Sequence, residues 1–327
     1  MNRKEDIFRE ITTKIIEQLE KGVLPWRRPY ALTTDRNGYT GRPYRGINLI
    51  ILTMHSILNG FNSPFWLTFK EVEKLGGSVK RGPDDIKIVF CKFVKKIKKD
   101  EEGNTIIDPE TGEPETKEVF FVKWHTVVNI DQTENITLPK KLIDINPPDP
   151  TPLREALFSL PVIKPGKIPS YVPQEDIIEM PLINAFKNPD DFWADYFHEL
   201  IHWTGAPHRL NRNLKARFGD YTYAFEELIA EIGSTFLCRY AGVNADYSNS
   251  ASYIDSWIKC MKKDSKAIFT AASKAQKAVD WLLEKADIDV DDITKKPSIL
   301  HRKLRKRRAK NKKVKPHIKL KFSIGYY

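Results

Sequence analysis

An amphipathic helix is predicted over residues 5–21, because apolar side chains recur there on one helical face and Gly22 follows as a stop: Ile7, Ile11, Ile15, Ile16 and Leu19. The apolar run 47–58 predicts a buried element that is either a helix or a strand. Residues 66–77 predict a short helix that two consecutive glycines close. The first part of the chain therefore contains several short elements joined by loops rich in Pro, Gly and Arg.

Strands and further helices follow. The β-rich runs 86–96 and 117–130 flank a polar segment with Gly and Pro, which predicts a long hairpin, and residues 168–181 predict two short strands joined by a turn. Apolar periodicity predicts three later helices, over about 188–205, 223–240 and 265–284. The order of strands and helices predicts an α+β protein with two domains. The first would be α+β with antiparallel strands, and the second mostly helical with a small sheet.

The best candidate linker is the segment 144–153, which has four prolines and is expected to be extended. We therefore predict a first domain at 1–143, a second at 154–296, and a basic, disordered tail at 297–327.

Charge is concentrated at the end of the chain. The net charge is +11, yet residues 301–327 alone hold 12 Lys and Arg and no acid. Such a block is typical of nonspecific attraction to nucleic acid. No apolar run is long enough to cross a bilayer, the N-terminus lacks a secretory segment, and three dispersed cysteines form no disulfide framework. We expect a cytoplasmic protein without a membrane partner.

The string HELIHWTGAPHRL, residues 198–210, carries the candidate chemistry. His198 and His202 are one helical turn apart, so both imidazoles can bind one metal ion. Glu199 follows the first histidine and can act as general base without being a ligand. Asn188, Pro189 and two acidic residues start this helix, and Gly205 ends it. The motif predicts one zinc ion in a metallopeptidase site.

The third ligand has alternatives. His208 would give a three-histidine site, but that design also needs a methionine turn, and the downstream Met261 lies in a helical pattern. The rival is a pair of acids one helical turn apart on an apolar helix face, Glu227 and Glu231: one can bind the metal while the other accepts a hydrogen bond from a ligand histidine. Glu226 is the next alternative. The segment resembles the third-ligand helix of thermolysin-type metallopeptidases, and this resemblance implies Glu227 as the ligand, favoured over His208, and Glu231 as the hydrogen-bond acceptor.

Several residues could contact a peptide substrate or stabilise its transition state, and the sequence does not choose among them: Tyr221, Tyr223, His208, Arg209 and Arg212. The segment SYVPQED, residues 170–176, could pair with an extended peptide as an edge strand. The protein substrate stays unknown.

Aromatic and basic residues alternate in the loops of the first domain, a pattern that suits single-stranded nucleic acid. The candidates for stacking or phosphate contact are Trp26, Arg27, Arg28, Tyr39, Arg42, Tyr44, Arg45, Trp66, Lys80 and Arg81. The alternative is that the tryptophans belong to the core and the arginines only solvate the surface.

Taken together, seven strings in order resemble the ArdC-type antirestriction family, which is related to the N-terminal part of TraC-type plasmid primases: PWRRPY, TGRPYRGIN, WLTFKEVEKLGGSVKRG, VVNIDQTEN, HELIHWTG with RLNR, YAFEELIAEIGSTFL and AASKAQKAVDWLL. The resemblance implies an N-terminal domain that binds single-stranded DNA, a C-terminal zincin-like metallopeptidase domain, and a plasmid or phage origin. His208 and the basic tail are not part of the family pattern, and no primase signature is present.

Three functions follow as hypotheses, and the third of them is a peptidase that acts independently of DNA and carries a basic tail. In the first, the protein binds single-stranded DNA and cleaves a protein with a zinc-dependent peptidase site. In the second, it protects DNA by coating it, and the metallopeptidase-like domain is structural or inactive.

Overall fold

A computed structural model of the chain describes residues 3–27, 34–80, 85–100, 102–108, 112–139, 142, 151–214, 220–245 and 253–289. The α-helices of this part are α1 Arg3–Glu20, α2 Ile47–Asn59, α3 Phe69–Lys74, α4 Thr151–Phe158, α5 Pro189–Thr204, α6 Tyr221–Tyr240, α7 Ile254–Lys263 and α8 Ala267–Lys285. The strands are β1 Arg36–Asn37, β2 Phe65–Leu67, β3 Ser78–Val79, β4 Ile86–Ile97, β5 Thr116–Asn129, β6 Thr133–Glu134, β7 Val162–Pro165, β8 Ser170–Val172 and β9 Ile177–Met180.

The chain divides into two compact units, each discontinuous in sequence. The first comprises residues 1–144, 217–232 and 248–276, and the second comprises residues 145–216, 233–247 and 277–327. Helix α6 contributes its first twelve residues to the first unit and the rest to the second. The consecutive domains predicted from the sequence remain a prediction.

The first unit contains a four-stranded sheet in the order β1-β2-β5-β4. Strands β4 and β5 form the predicted antiparallel hairpin, with pairs from Ile86↔Val127 to Ile97↔Thr116. The short β1 pairs with β2 in parallel, so the sheet is mixed and not purely antiparallel as expected. A second, two-stranded sheet joins β3 to β6.

The ambiguous run 47–58 is a helix, α2, and its side chains from Asn48 to Ser56 are all buried. Asn48 fixes this helix to the hairpin, because its amide donates to Val89 O and accepts from Val89 N, both at 2.7 Å. Gly60 ends the helix in the left-handed conformation, with φ 67°.

The second unit contains a three-stranded sheet in the order β7-β9-β8. The predicted pair is present as antiparallel β8 and β9, while β7 pairs with β9 in parallel and was not predicted. Strand β8 lies at the edge of the sheet, and helix α5 packs against β8 and β9. The α+β class with a small sheet beside helices is confirmed.

Helix α5 begins and ends where its sequence indicates. The Asn188 side chain accepts from Asp190 N at 3.0 Å, and Pro189 occupies the first turn. Gly205 ends the helix at a φ of −76°, which any residue can adopt. Glycine is needed here because its neighbours leave no room for a side chain. A Cβ there would lie 2.9 Å from Leu214 and 3.0 Å from the Arg212 guanidinium. Arg212 in turn donates to the Ile201 carbonyl at 2.7 Å.

The predicted extended linker is wrong in its last three residues, because Thr151 to Leu153 form the start of α4. Residues 144–150 and the basic tail lie outside the described residues. Among the helices that the structure describes, none is both long and apolar enough to cross a membrane.

Candidate metal centre

Helix α5 carries two histidines on one face. His198 and His202 are four residues apart, and their Nε2 atoms are 3.1 Å from each other. The ring centroids are 4.8 Å apart. This proximity follows from the helical repeat, which places residues i and i+4 beside each other. The two imidazoles can therefore bind one ion.

Helix α6 places a buried carboxylate next to these histidines. Three potential ligand atoms lie within 4.8 Å of one another, one each from His198, His202 and Glu227. Glu227 is 6% exposed and is followed by the fully buried Leu228. Because a buried carboxylate is costly unless it has partners of opposite charge or hydrogen-bond donors, its position suits a cation ligand.

Close packing holds α6 against α5 beyond this point. Gly233 lies so near Ile201 that a Cβ on the glycine would be 2.8 Å from two of its side-chain carbons. One residue later, Ser234 Oγ donates to the Ala194 carbonyl at 2.8 Å. A side chain at position 233 would separate the helices, so glycine is needed for this approach.

The donor set fits a divalent cation. Tetrahedral zinc with Zn–N bonds of 2.0–2.1 Å requires its nitrogens to be about 3.3–3.4 Å apart. The 3.1 Å between the His198 and His202 Nε2 atoms is close to that spacing. Two imidazoles and one carboxylate are ligands that zinc and manganese both accept.

His208, the alternative third ligand, is not part of this group in the described residues. Its side chain is 64% exposed, and its Nε2 lies 3.3 Å from Asp176 Oδ2 and accepts from Arg209 Nη1 at 2.6 Å. Glu226 is buried but is also outside the group. The structure thus brings together the favoured ligand set and not the three-histidine set.

Glu199, the predicted general base, contacts the edge strand. Its Oε2 accepts a hydrogen bond from the Tyr171 backbone N–H of β8 at 2.6 Å. The carboxylate is therefore held beside both the histidine face of α5 and the outer edge of the sheet. The sequence contained no sign of this contact beyond the strand-like segment 170–176.

A polar cluster supports β8. Asp176 accepts from the Tyr171 hydroxyl at 2.9 Å and forms an ion pair with Arg209. Arg209 also donates to the Trp203 carbonyl at 2.6 Å and stacks over the Trp203 ring. The hydrogen bond from Arg209 lowers the pKa of Asp176, whereas burial and the contact with Asp176 raise the pKa of Tyr171 to about 12.

The predicted substrate contacts have different positions. Arg212 is buried and donates to carbonyl and hydroxyl oxygens at the end of α5, and Arg209 is bound to Asp176, so both are structural in this conformation. Tyr221 is 38% exposed and hydrogen-bonds to Cys260. Tyr223 hydrogen-bonds to Tyr253 and Glu227, and burial is the main cause that raises its pKa. Of the five candidates, Tyr223 is the one whose described contacts include a residue of the candidate ligand set, Glu227.

Glu231 is bound by two residues predicted to contact nucleic acid. Its Oε1 accepts from Trp26 Nε1 at 3.2 Å and forms an ion pair with Arg27. The Trp26 side chain is 1% exposed, so its ring offers no face to a base. The prediction that Trp26 stacks on DNA is wrong for this conformation. The hydrogen bond from a ligand histidine to Glu231 stays a prediction.

Trp66 and Tyr44 are also core residues, at 0% and 7% exposed. Trp66 Nε1 donates to the buried Asp35 carboxylate at 2.9 Å. Burial raises the pKa of Tyr44 to about 12. As with Trp26, stacking of these two rings on bases is a wrong prediction here, because an amphipathic aromatic residue can also satisfy its polar atom inside the core.

Four nucleic-acid candidates keep an exposed side chain. These are Tyr39, Arg42, Arg45 and Lys80. Tyr39 is 40% exposed with the Lys74 ammonium 5.6 Å above its ring, and Lys80 Nζ donates to the Asp131 carbonyl at 2.9 Å. Arg28 and Arg81 lie outside the described residues.

Two family profiles match the chain in succession. The profile of the N-terminal domain of the anti-restriction factor ArdC matches residues 5–127. The profile of a zincin-like metallopeptidase matches residues 160–274, which include both histidines and Glu227.

Whole-chain comparisons agree with these profiles. The chain is 30% identical to the protein y4eC of Sinorhizobium fredii over 85% of its own length and 91% of that protein. It is 31% and 32% identical to two DNA primases TraC of Escherichia coli, but it spans only 29% and 20% of their lengths. The crystal structure of the antirestriction protein ArdC from plasmid R388, in its metal-free form, superposes with TM-score 0.69 at 33% identity, covering 87% of this chain and 99% of that one. Its Mn(II)-bound form superposes with TM-score 0.66 at 34% identity, covering 85% and 97%.

Proposed function

Because the chain belongs to the ArdC family of antirestriction proteins, we propose that it binds single-stranded DNA and hydrolyses peptide bonds at a zinc site formed by His198, His202 and Glu227. The observation that carries the proposal is the convergence of a buried carboxylate with two imidazoles one turn apart. A solved relative with Mn(II) bound supports a divalent cation in this family. Zinc is our proposal because of the two histidines and one glutamate in the donor set.

Bound zinc would supply Lewis acidity, which polarises a substrate carbonyl and makes water a stronger nucleophile at neutral pH. Glu199 would take the proton from the attacking water on its carboxylate and deliver it to the leaving amine. The Tyr171 N–H, 2.6 Å from Glu199 Oε2, holds the carboxylate in place for that transfer. Tyr223 is the candidate donor to the developing oxyanion, since its hydroxyl already hydrogen-bonds to Glu227.

The substrate would be an extended segment of a protein. Among the strands that the structure describes, β8 pairs with β9 alone, and the Tyr171 N–H points away from β9 toward Glu199. A peptide added along that outer edge would pass beside Glu199.

For DNA we propose the exposed basic and aromatic side chains of the first unit, Tyr39, Arg42, Arg45 and Lys80. Cationic side chains beside an exposed ring suit a single strand, whose bases are free to stack. The basic tail would add nonspecific attraction. Primase activity is not proposed, because the chain spans under a third of the TraC primases.

The test is Glu199→Gln in the full chain. We expect this variant to keep zinc and single-stranded DNA binding and to lose hydrolysis of a denatured protein substrate, because Gln cannot accept the proton. Glu10→Gln is the matched control: its carboxylate forms an exposed ion pair with Lys14, and full hydrolysis is expected. Protection of incoming plasmid DNA from restriction is measured for both variants.

Equal hydrolysis by Glu199→Gln and the wild type would refute the assignment of the general base. If hydrolysis is lost while protection is complete, protection is due to DNA coating, and the peptidase site has another role. The first two functions predicted from the sequence are thereby separated.

A further inference from the structure

We propose that Trp26 and Arg27, from the segment 22–27 after α1, are positioning residues of the metal centre that act on Glu227 through Glu231. The inference rests on the proposed function only in taking His198, His202 and Glu227 as the metal ligands. It assigns part of the site to residues outside the zincin-like profile, which covers residues 160–274.

The direct contact is to Glu231. Arg27 forms an ion pair with the Glu231 carboxylate, and the two side chains are only 11% and 5% exposed. Trp26 Nε1 donates to the same carboxylate at 3.2 Å, across 205 residues of sequence. Because the pair is withdrawn from water, loss of the cation would leave a buried charge without this partner.

Glu231 lies one helical turn after Glu227 on α6, so the two carboxylates are neighbours. With its position fixed, the Glu231 carboxylate does not compete with that of Glu227 for an ion held by His198 and His202. Mutation of residues that orient metal ligands in this indirect way typically weakens metal affinity about 10- to 100-fold.

A second connection runs through aromatic rings. Trp26 packs edge-on against Trp257 with centroids 5.7 Å apart, and Trp257 stacks on Tyr253 at 5.9 Å. Tyr253 lies 6.5 Å from Tyr223, which hydrogen-bonds to both Tyr253 and Glu227. Trp26 is therefore linked to Glu227 by two series of contacts, one through Glu231 and one through the packed aromatic rings.

The compact units agree with this connection. Residues 217–232, which include Glu227 and Glu231, belong to the unit formed mainly by residues 1–144. The carboxylate ligand is accordingly packed among residues of the N-terminal part of the chain.

The experiment is zinc affinity of the full chain, measured by competition with a chromophoric chelator. Arg27→Gln is expected to weaken zinc binding about 10- to 100-fold, and Arg27→Lys to recover part of the loss, because lysine keeps the charge but not the guanidinium geometry. Arg9→Gln, on the exposed face of α1, removes the same charge and should leave the affinity unchanged. The visible absorption spectrum of the Co²⁺-loaded protein should change in Arg27→Gln and not in Arg9→Gln, since it reports ligand geometry.

Wild-type affinity and an unchanged Co²⁺ spectrum in Arg27→Gln would overturn the proposal. If that variant does not fold, Trp26→Phe replaces it, because phenylalanine keeps an aromatic ring beside Trp257 and removes the N–H donor together with the second ring of the indole. Its expected loss is about three- to tenfold, and no loss would overturn the proposal. Glu227→Ala is measured alongside: unchanged zinc binding in that variant would refute the proposed ligand set itself.

Discussion

Gly233→Ala tests the close approach of α6 to α5. The added Cβ would lie 2.8 Å from the Cδ1 and Cγ1 atoms of Ile201 and 3.2 Å from Cγ2. Carbon atoms pack best about 3.5–4.0 Å apart, so the helices or the Ile201 side chain must move by about 0.7 Å. Ile201 precedes His202, a ligand in the proposed site, and such a movement exceeds the roughly 0.2 Å tolerance of metal–ligand distances.

Two opposing free energies decide the stability of this variant. Alanine favours a helix interior over glycine by about 1 kcal/mol. Overpacking a filled core costs about 1–3 kcal/mol. We therefore expect a net destabilisation of about 1 kcal/mol, together with zinc affinity about tenfold weaker, which corresponds to 1.4 kcal/mol.

The assay is urea unfolding of the metal-free chain together with a zinc titration. Ile201→Ala removes all three contacted atoms, so Gly233→Ala should be better tolerated in that background, with a coupling free energy of about 1 kcal/mol. A Gly233→Ala variant that is more stable than the wild type and binds zinc equally well would refute the packing argument, because only helix propensity would then have acted.

Three further outcomes are expected. Asp176→Asn should be less stable than the wild type at neutral pH, because Arg209 lowers the folded-state pKa of Asp176. In urea unfolding, the difference in stability should shrink as the pH falls below about 4, since protonation of Asp176 removes this stabilisation. A difference that stays constant with pH would contradict this. Trp66→Phe should cost about 1–3 kcal/mol by removing the donor to Asp35, while a gel shift with single-stranded DNA shows unchanged affinity; weakened DNA binding by the folded variant would restore Trp66 as a stacking residue. Arg42→Gln and Arg45→Gln should each weaken single-stranded DNA binding and reduce the slope of log K against log salt by about 0.7; an unchanged slope would remove that residue from the DNA surface.

Local signals predicted most of the helices and the motif. The Asn188–Pro189 start of α5 and the four-residue histidine spacing are properties of a single helix, so they can be seen in sequence. The hairpin β4–β5 was predicted for the same reason, since alternation and turn residues are local. Strand β7 was missed because it is only four residues long and depends on a parallel partner 15 residues away.

Contacts between distant segments could not be predicted. The segment with Trp26 and Arg27 has the aromatic and basic composition of a nucleic-acid loop, yet both side chains contact the buried Glu231. An indole or guanidinium is equally suited to a base, a phosphate or a buried carboxylate, and only the tertiary structure decides between them. The apolar helix face around Glu227 was informative, because a carboxylate among buried apolar side chains needs a cation or hydrogen-bond donors as partners.

The most direct test of the account is a crystal structure of the full chain grown with zinc, with anomalous diffraction recorded at the zinc edge. We predict one ion bound by His198 Nε2, His202 Nε2 and a Glu227 carboxylate oxygen at about 2.0–2.2 Å, with a further position open to solvent. An ion bound by other residues, or a Glu227 side chain turned away from an ion on the two histidines, would contradict it.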